Sequence, residues 1–263
     1  MSVFQRSDFT MSTGSATLIG AGPGDPELLT VRAIRALARA DAVLYDALID
    51  TSVLELAPAQ ARRIDVGKRC GRHAMNQAAI SRLIVSLARQ GAHVVRLKGG
   101  DPMLFGRAGE ELEELRAAGI PVKVVPGVTA ACAAAASLQV PLTHRAVARS
   151  VHFLTGHGAD GEVPAHQWAA LAASGGTIAA YMASRTLGSV TASLIEAGLS
   201  PETPAVAVEN ASRPGERRLF GTLADLPGQL SEAGLTGPTL VLIGAVVNHA
   251  TGCSALPERR RAA

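Results

Sequence analysis

Aromatic side chains are scarce: five Phe, two Tyr and one Trp make up 3% of 263 residues. That scarcity, beside 27 glycines and abundant alanine, disfavours a β-sandwich and favours closely packed helices and strands. Cysteine is equally sparse. Cys70, Cys132 and Cys253 are odd in number, far apart and without a CxxC pair, so neither a disulfide framework nor a zinc site is expected. The formal charge is only +3 and no basic stripe interleaves with aromatics, so no nucleic-acid partner is expected. No apolar run reaches membrane-spanning length, and "MSVFQRSDFTMSTGS" lacks the continuous apolar core of a signal peptide. The expected setting is the cytoplasm, with no membrane partner.

What is present is a repeated alternation. "AVLY", "HVVRL" and "VKVV" read as buried strands, and "NQAAISRLIVSLARQG" between them sets Ile80, Leu83, Ile84 and Leu87 at helical spacing. Strand, helix, strand in that rhythm implies a mainly parallel sheet with right-handed crossovers. A second set follows, with "VHFLTG", "TIAAYM", "AVAVENA" and "TLVLIG" as strands and "LGSVTASLIEAG" as a helix. The hairpin-like "RPGERRLFGTL" adds an antiparallel portion. The expected fold is two α/β domains, the first mainly parallel and the second mixed. The alanine-rich "TAACAAAASLQ" closes the first set, and the break at "VPLTHRAVARS" places the junction. This gives residues 1–14 as a leader, 15–143 and 144–250 as domains, and 251–263 as a solvated tail.

"LIGAGPGDPELLT" sits where a dinucleotide-binding loop would sit. The third glycine of that fingerprint is replaced by Asp25 between prolines, so a pyrophosphate would meet negative charge. The loop keeps the glycines that admit a ligand to bare backbone and lacks the phosphate chemistry. Other polar clusters fall after strands, where open α/β sheets bind ligands. "KGGDPMLFGRAGEE" combines Gly99, Gly100 and Asp101 with Arg107 and Glu110, three apart at a helix start; Glu111 reads as an acid answering the helix dipole. Asp46 ends a strand in "YDALID" and serves either a ribose or a helix cap. Lys68, Arg69, Arg72 and His73 form either a polycarboxylate site or a solvated basic loop. "PGVTAA" opens a helix at Thr129, "PLTHR" brings His144 and Arg145, and Met182 and Ala211 occupy strand ends. A ligand of adenine, ribose and an amino-acid zwitterion, S-adenosylmethionine, fits a nucleotide-like pocket with no phosphate grip.

"GAGPGDPELLT", "YDALI", "VGKRCGRHAMNQ", "VRLKGGDPMLFGRAGEE", "VPGVTAACAAAASLQVPLTHR" and "YMAS", in that order, resemble the tetrapyrrole methylase family. Within it they are most similar to the branch that methylates uroporphyrinogen III. The resemblance implies two methyl transfers from S-adenosylmethionine to carbons 2 and 7 of that octacarboxylate, yielding precorrin-2 and S-adenosylhomocysteine. It also implies a homodimer, with the cofactor in a cleft between two α/β domains. The family's cofactor contacts fall on Pro23, Gly99, Gly100, Asp101, Leu104, Thr129, Ala130, Met182 and Ala211, with Thr239 a further candidate. Asp46 and Lys68 match its proton acceptor and donor, and Arg107, Glu110 and Arg145 match positions that handle substrate. No metal is implied. Two positions depart from the family pattern: Ala47 stands where arginine is common, and Ala108 where glycine is. A later precorrin methylase, a dinucleotide oxidoreductase and a non-catalytic sensor are the competing readings.

Overall fold

The computed structural model describes residues 14–67, 75–158 and 160–251. The chain divides into two compact units, Met1–Val128 and Thr129–Ala263.

In the first unit, β1 (Ser15–Gly20), β2 (Ala42–Tyr45), β3 (Arg62–Asp65), β4 (His93–Lys98) and β5 (Val122–Val125) alternate with α1 (Val31–Leu37), α2 (Thr51–Leu54), α3 (Gln77–Arg89) and α4 (Ala108–Ala117). The strands form a parallel sheet in the order β3-β2-β4-β1-β5. Successive side chains of a strand face opposite sides, which divides the core in two. Ile19, Val43, Val95 and Leu97 pack with Ala33 and Leu37 of α1, while Leu18, Leu44 and Val94 pack with Ile84 of α3 and Leu115 of α4. Side-chain caps fix where helices begin: Thr30 accepts from Ala33 N–H and Asn76 from Ala79 N–H. The crossover from β1 runs toward β2, and that from β4 runs the other way, toward β5. The loops after these two central strands therefore diverge at a topological switch point, where open sheets hold ligands.

The second unit comprises α5 (Ala130–Leu138), β6 (Val151–Thr155), α6 (Trp168–Ala173), β7 (Thr177–Tyr181), α7 (Leu187–Glu196), β8 (Pro204–Glu209), β9 (Arg217–Thr222), α8 (Leu226–Glu232) and β10 (Thr239–Ile243). Its sheet runs β6-β7-β10-β8-β9 and is mixed: β6 and β7 are parallel, and every other neighbour is antiparallel. The hairpin expected around "RPGERRLFGTL" is the β8–β9 pair.

The division falls after Val128 rather than between residues 143 and 144. The alanine-rich helix α5 is tied to the second unit by Tyr181, whose hydroxyl bonds Thr129 Oγ1 at 2.6 Å and accepts from Ala131 N–H at 3.1 Å. Thr251 N–H donates to Leu138 O from the far end. Propensity makes this segment a helix but does not say which core receives it. Among the described residues no helix is long and apolar enough to cross a membrane.

Candidate active site

The loops after β1 and β4 meet backbone to backbone. Gly22 N–H donates to Gly100 O at 3.2 Å, and Gly100 N–H returns the bond to Gly22 O at 2.7 Å. Gly100 has φ +66°, and a Cβ on Gly127 would lie 2.3 Å from Gly100 O, so glycine is required at both places. Asp101 ties the cluster together. Its Oδ1 accepts from Met103 N–H at 2.8 Å and its Oδ2 from Gly127 N–H at 2.9 Å. Pro23 and Leu104 are half-buried here, and Gly99 is exposed. Asp25 accepts from Glu27 N–H at 2.8 Å and opens a short 3-10 helix, Pro26–Leu28. The carboxylates of Asp25 and Asp101 around these strand ends suit a cationic, hydroxyl-bearing ligand better than a diphosphate. S-adenosylmethionine meets that requirement.

Asp46 stands just past β2 and is one end of a buried charge cluster. Period-2 alternation turns Arg96 and Lys98 of β4 toward the same face as Val94, the face covered by α3 and α4. There Glu111 of α4, fully buried, gathers three donors on Oε1: Gln77 Nε2 at 2.7 Å, Arg96 Nε at 3.1 Å and Lys98 Nζ at 3.2 Å. Its Oε2 lies 3.2 Å from Lys98 Nζ but lacks hydrogen-bond geometry. Arg96 spans the cluster, donating through Nη1 to Leu97 O at 3.2 Å and through Nη2 to Asp46 Oδ1 at 2.6 Å. Burial, with Arg96 beside it, pushes the Lys98 ammonium below its ordinary value near 10.5, against the pull of Glu111 and Asp46. Reading the sequence missed this cluster. The available signal was a pair of cations in a strand bounded by apolar neighbours on both faces.

Arg107 and Glu110 form the expected pair, Nη2 to Oε2 and Nε to Oε1 both at 2.8 Å, on the exposed first turn of α4. That hydrogen bond holds the Glu110 carboxyl below its usual range and raises the already strong base Arg107. Arg107 precedes the helix in a left-handed conformation, φ +54°, which throws its side chain outward. Ala108, where the family prefers glycine, is buried against the α3–α4 core, so its methyl is accommodated by packing. Ala47 sits against Gly67, where a Cβ would meet Ala47 N at 2.2 Å. Lys68, with Arg69, Arg72 and His73, lies outside the described residues.

In the second unit the predicted residues gather at one rim of the mixed sheet. Leu240 pairs with Tyr181, and Thr239 with Glu209, so Met182 after β7, Thr239 opening β10 and Ala211 after β8 stand at the same sheet end. Thr129 and Ala130 join them because the Tyr181 hydroxyl holds the start of α5. Thr129 makes no side-chain cap bond of its own; the tyrosine performs the capping. Burial raises the Tyr181 phenol pKa, so the group stays neutral. Met182 has φ +54° and is 48% exposed. Two carboxylates that the sequence reading did not single out shape the adjoining loops. Glu209 Oε1 accepts from Thr236 N–H at 2.8 Å and Gly237 N–H at 2.6 Å. Glu216 Oε2 accepts from Ser212 N–H at 2.9 Å; burial opposes its charge, but Ser212, Arg218 and Ser137 together hold its carboxyl below the usual range. Arg145 is exposed, and His144 stacks on His249 with centroids 5.2 Å apart.

The model of the tetrapyrrole (corrin/porphyrin) methylases matches residues 16–227. The chain belongs to that family. This tetrapyrrole methylase is 47% identical over 237 residues to the uroporphyrinogen-III C-methyltransferase of Synechocystis sp. (strain ATCC 27184 / PCC 6803 / Kazusa), covering 90% of each chain. It is 48% identical over 237 residues to the siroheme synthase of Pseudomonas fluorescens (strain Pf0-1), covering 90% of the methylase but 51% of that protein. It thus spans about half the length of the siroheme synthases it matches. Among solved structures, the Thermus thermophilus uroporphyrin-III C-methyl transferase complexed with S-adenyl homocysteine aligns at TM-score 0.77 and 40% identity. That alignment covers 90% of the methylase and 100% of the Thermus chain.

Proposed function

We propose that this tetrapyrrole methylase transfers two methyl groups from S-adenosylmethionine to C2 and C7 of uroporphyrinogen III. The products are precorrin-2, on the route to sirohaem, cobalamin or haem d1, and two S-adenosylhomocysteine. The observation that carries the reading is the likeness to the Synechocystis uroporphyrinogen-III C-methyltransferase over 90% of both chains. The site chemistry supports it. A sulfonium methyl donor needs alignment with a nucleophilic carbon rather than a covalent enzyme intermediate. The electron-rich pyrrole carbons supply that nucleophile.

The residues proposed to contact the cofactor are Pro23, Gly99, Gly100, Asp101, Leu104, Thr129, Ala130, Met182, Ala211 and Thr239. Ring methylation places positive charge on the macrocycle, which then loses a proton, and Asp46 is the base. Lys68 is the matching proton donor. Arg107, with Glu110 orienting it, and Arg145 bind substrate carboxylates. The enzyme works as a cytoplasmic homodimer, which light scattering and cell fractionation test.

The deciding experiment is an anaerobic incubation of the protein with uroporphyrinogen III and S-adenosylmethionine. The expected result is a mass gain of two methyl groups with two equivalents of S-adenosylhomocysteine. Cofactor binding without methylation of this substrate would reject the substrate assignment and turn attention to later precorrins.

A further inference from the structure

We propose that Glu111 is a positioning residue for methyl transfer: it anchors Arg96, and through Arg96 it holds Asp46 at the rim of the parallel sheet. The inference rests on the reading of Asp46 as the base and adds the device that orients it.

The cluster is a relay with one end open to solvent. Side chains of Glu111, Arg96 and Lys98 are 0%, 2% and 5% exposed, whereas that of Asp46 is 34% exposed. Arg96 is planar and carries its donors in a rigid fork, so fixing Nε on Glu111 and Nη1 on Leu97 O dictates where Nη2 points. Nη2 points at Asp46, at 2.6 Å. Without Glu111 the guanidinium loses its inner anchor and swings onto the one remaining carboxylate, which binds Asp46 more fully and leaves it less available to take a proton. Lys98 and Gln77 complete the arrangement by holding Glu111 from β4 and α3. Two cations and two anions then balance.

Stability alone does not account for such a cluster. Well-packed apolar residues replace buried ion pairs at little or no cost, and β4 otherwise carries Val and Leu inward. What apolar residues cannot do is transmit an orientation to an exposed carboxylate.

The test compares Glu111→Gln, Glu111→Gln with Lys98→Met, Asp46→Asn, and Asp46→Asn with Glu111→Gln. Melting temperature, S-adenosylhomocysteine Kd, and kcat and KM for uroporphyrinogen III are measured on each. Glu111→Gln alone strands a buried ammonium and loses stability; adding Lys98→Met removes the pair together and recovers the melting temperature. Both proteins are expected to lose at least tenfold in kcat, with Kd for S-adenosylhomocysteine unchanged within twofold. In the Asp46→Asn background, Glu111→Gln is expected to cost less than twofold more, because both act on one step. A folded double variant with wild-type kcat overturns the proposal. So does a full multiplicative loss when Asp46→Asn and Glu111→Gln are combined, which would show that Glu111 acts elsewhere. Full turnover by Asp46→Asn overturns the base assignment itself, and with it the relay.

Discussion

Tyr181→Phe is the sharpest single-atom perturbation the structure offers. The substitution removes one oxygen that serves two partners, Thr129 Oγ1 at 2.6 Å and the Ala131 N–H at 3.1 Å. A hydrogen bond is worth about 0.5–1.5 kcal/mol net, and leaving a buried donor unpaired costs about 1–3 kcal/mol. Ala131 N–H is one of the unsatisfied donors at the start of α5, and Thr129 supplies no side-chain cap to replace the phenol. A loss of about 1–2 kcal/mol follows, at roughly 2–4 °C in melting temperature per kcal/mol for a protein of this size. Thr129 and Ala130 are proposed cofactor contacts, so a loosened first turn is expected to weaken S-adenosylhomocysteine about tenfold, equivalent to about 1.4 kcal/mol. Differential scanning fluorimetry gives the first quantity and titration calorimetry the second. KM for S-adenosylmethionine is expected to rise while KM for uroporphyrinogen III stays put. A lower melting temperature with unchanged Kd would show that the start of α5 does not touch the cofactor, and the reasoning would be wrong at that link.

Four further outcomes follow from the geometry. Gly127→Ala drives a methyl to within 2.3 Å of Gly100 O, a backbone atom held on both sides, so a loss of about 1–3 kcal/mol and much weaker cofactor binding are expected, read by urea melts and calorimetry. Arg107→Ala removes an exposed ion pair and is expected to change stability by less than about 0.5 kcal/mol while raising KM for the octacarboxylate about tenfold. Lys98 has its folded pKa lowered below 10.5, so in that window the unfolded chain binds more protons than the folded one. Stability is therefore expected to rise as pH climbs toward 10.5, and Lys98→Met to flatten that slope in urea midpoints. His93 is lowered below 6.5 by burial, against the pull of Asp41, so stability is expected to fall as pH drops through the range just under 6.5. His93→Gln should abolish that dependence.

Periodicity carried the sequence reading a long way, and its failures have specific causes. The apolar runs at residues 42–45, 93–97 and 122–125 are strands because their inward positions are continuous, and "LGSVTASLIEAG" is a helix because its apolar positions fall on one stripe. The same reading passed over Arg96 because a strand was inferred from its neighbours, and one cation does not change the pattern. A guanidinium on the inward side of such a strand requires a buried carboxylate, and that requirement leads to Glu111. The helix dipole is a sound account of an exposed acid in a first turn but not of Glu111, which has no solvent contact. The unit that receives α5 is hidden from the sequence for a related reason: helix propensity is local, and the bonds from Tyr181 to Thr129 and Ala131 cross about fifty residues of sequence.

The strand order explains why the glycine-rich loop looks like a dinucleotide site and behaves otherwise. With β1 and β4 adjacent at the centre of the sheet and their crossovers departing in opposite directions, the segments "GAGPGDP" and "KGGDP" must pass each other at backbone distance. The paired Gly22 and Gly100 and the packed Gly20 and Gly127 are the consequence, and Asp101 locks them from one side. A phosphate grip needs a helix beginning at that turn, with its first N–H groups aimed at the ligand. Here α1 does not begin until Val31. Its early Ala33 N–H is already taken by Thr30, and Asp25 with a short 3-10 helix stands in the intervening stretch. The glycines therefore serve loop-to-loop contact and open backbone, and the charge at the loop is negative. That combination selects for a nucleoside carrying positive charge, so removing the charge at Asp101 is expected to be costly. Asp101→Asn keeps one acceptor for Met103 or Gly127 and loses the charge, and is expected to weaken S-adenosylmethionine binding by about tenfold, because a neutral oxygen is the poorer partner for N–H groups and for a cationic ligand or ribose hydroxyl alike. Undiminished binding by a folded Asp101→Asn protein in calorimetry would show that the carboxylate charge plays no part in selecting the ligand.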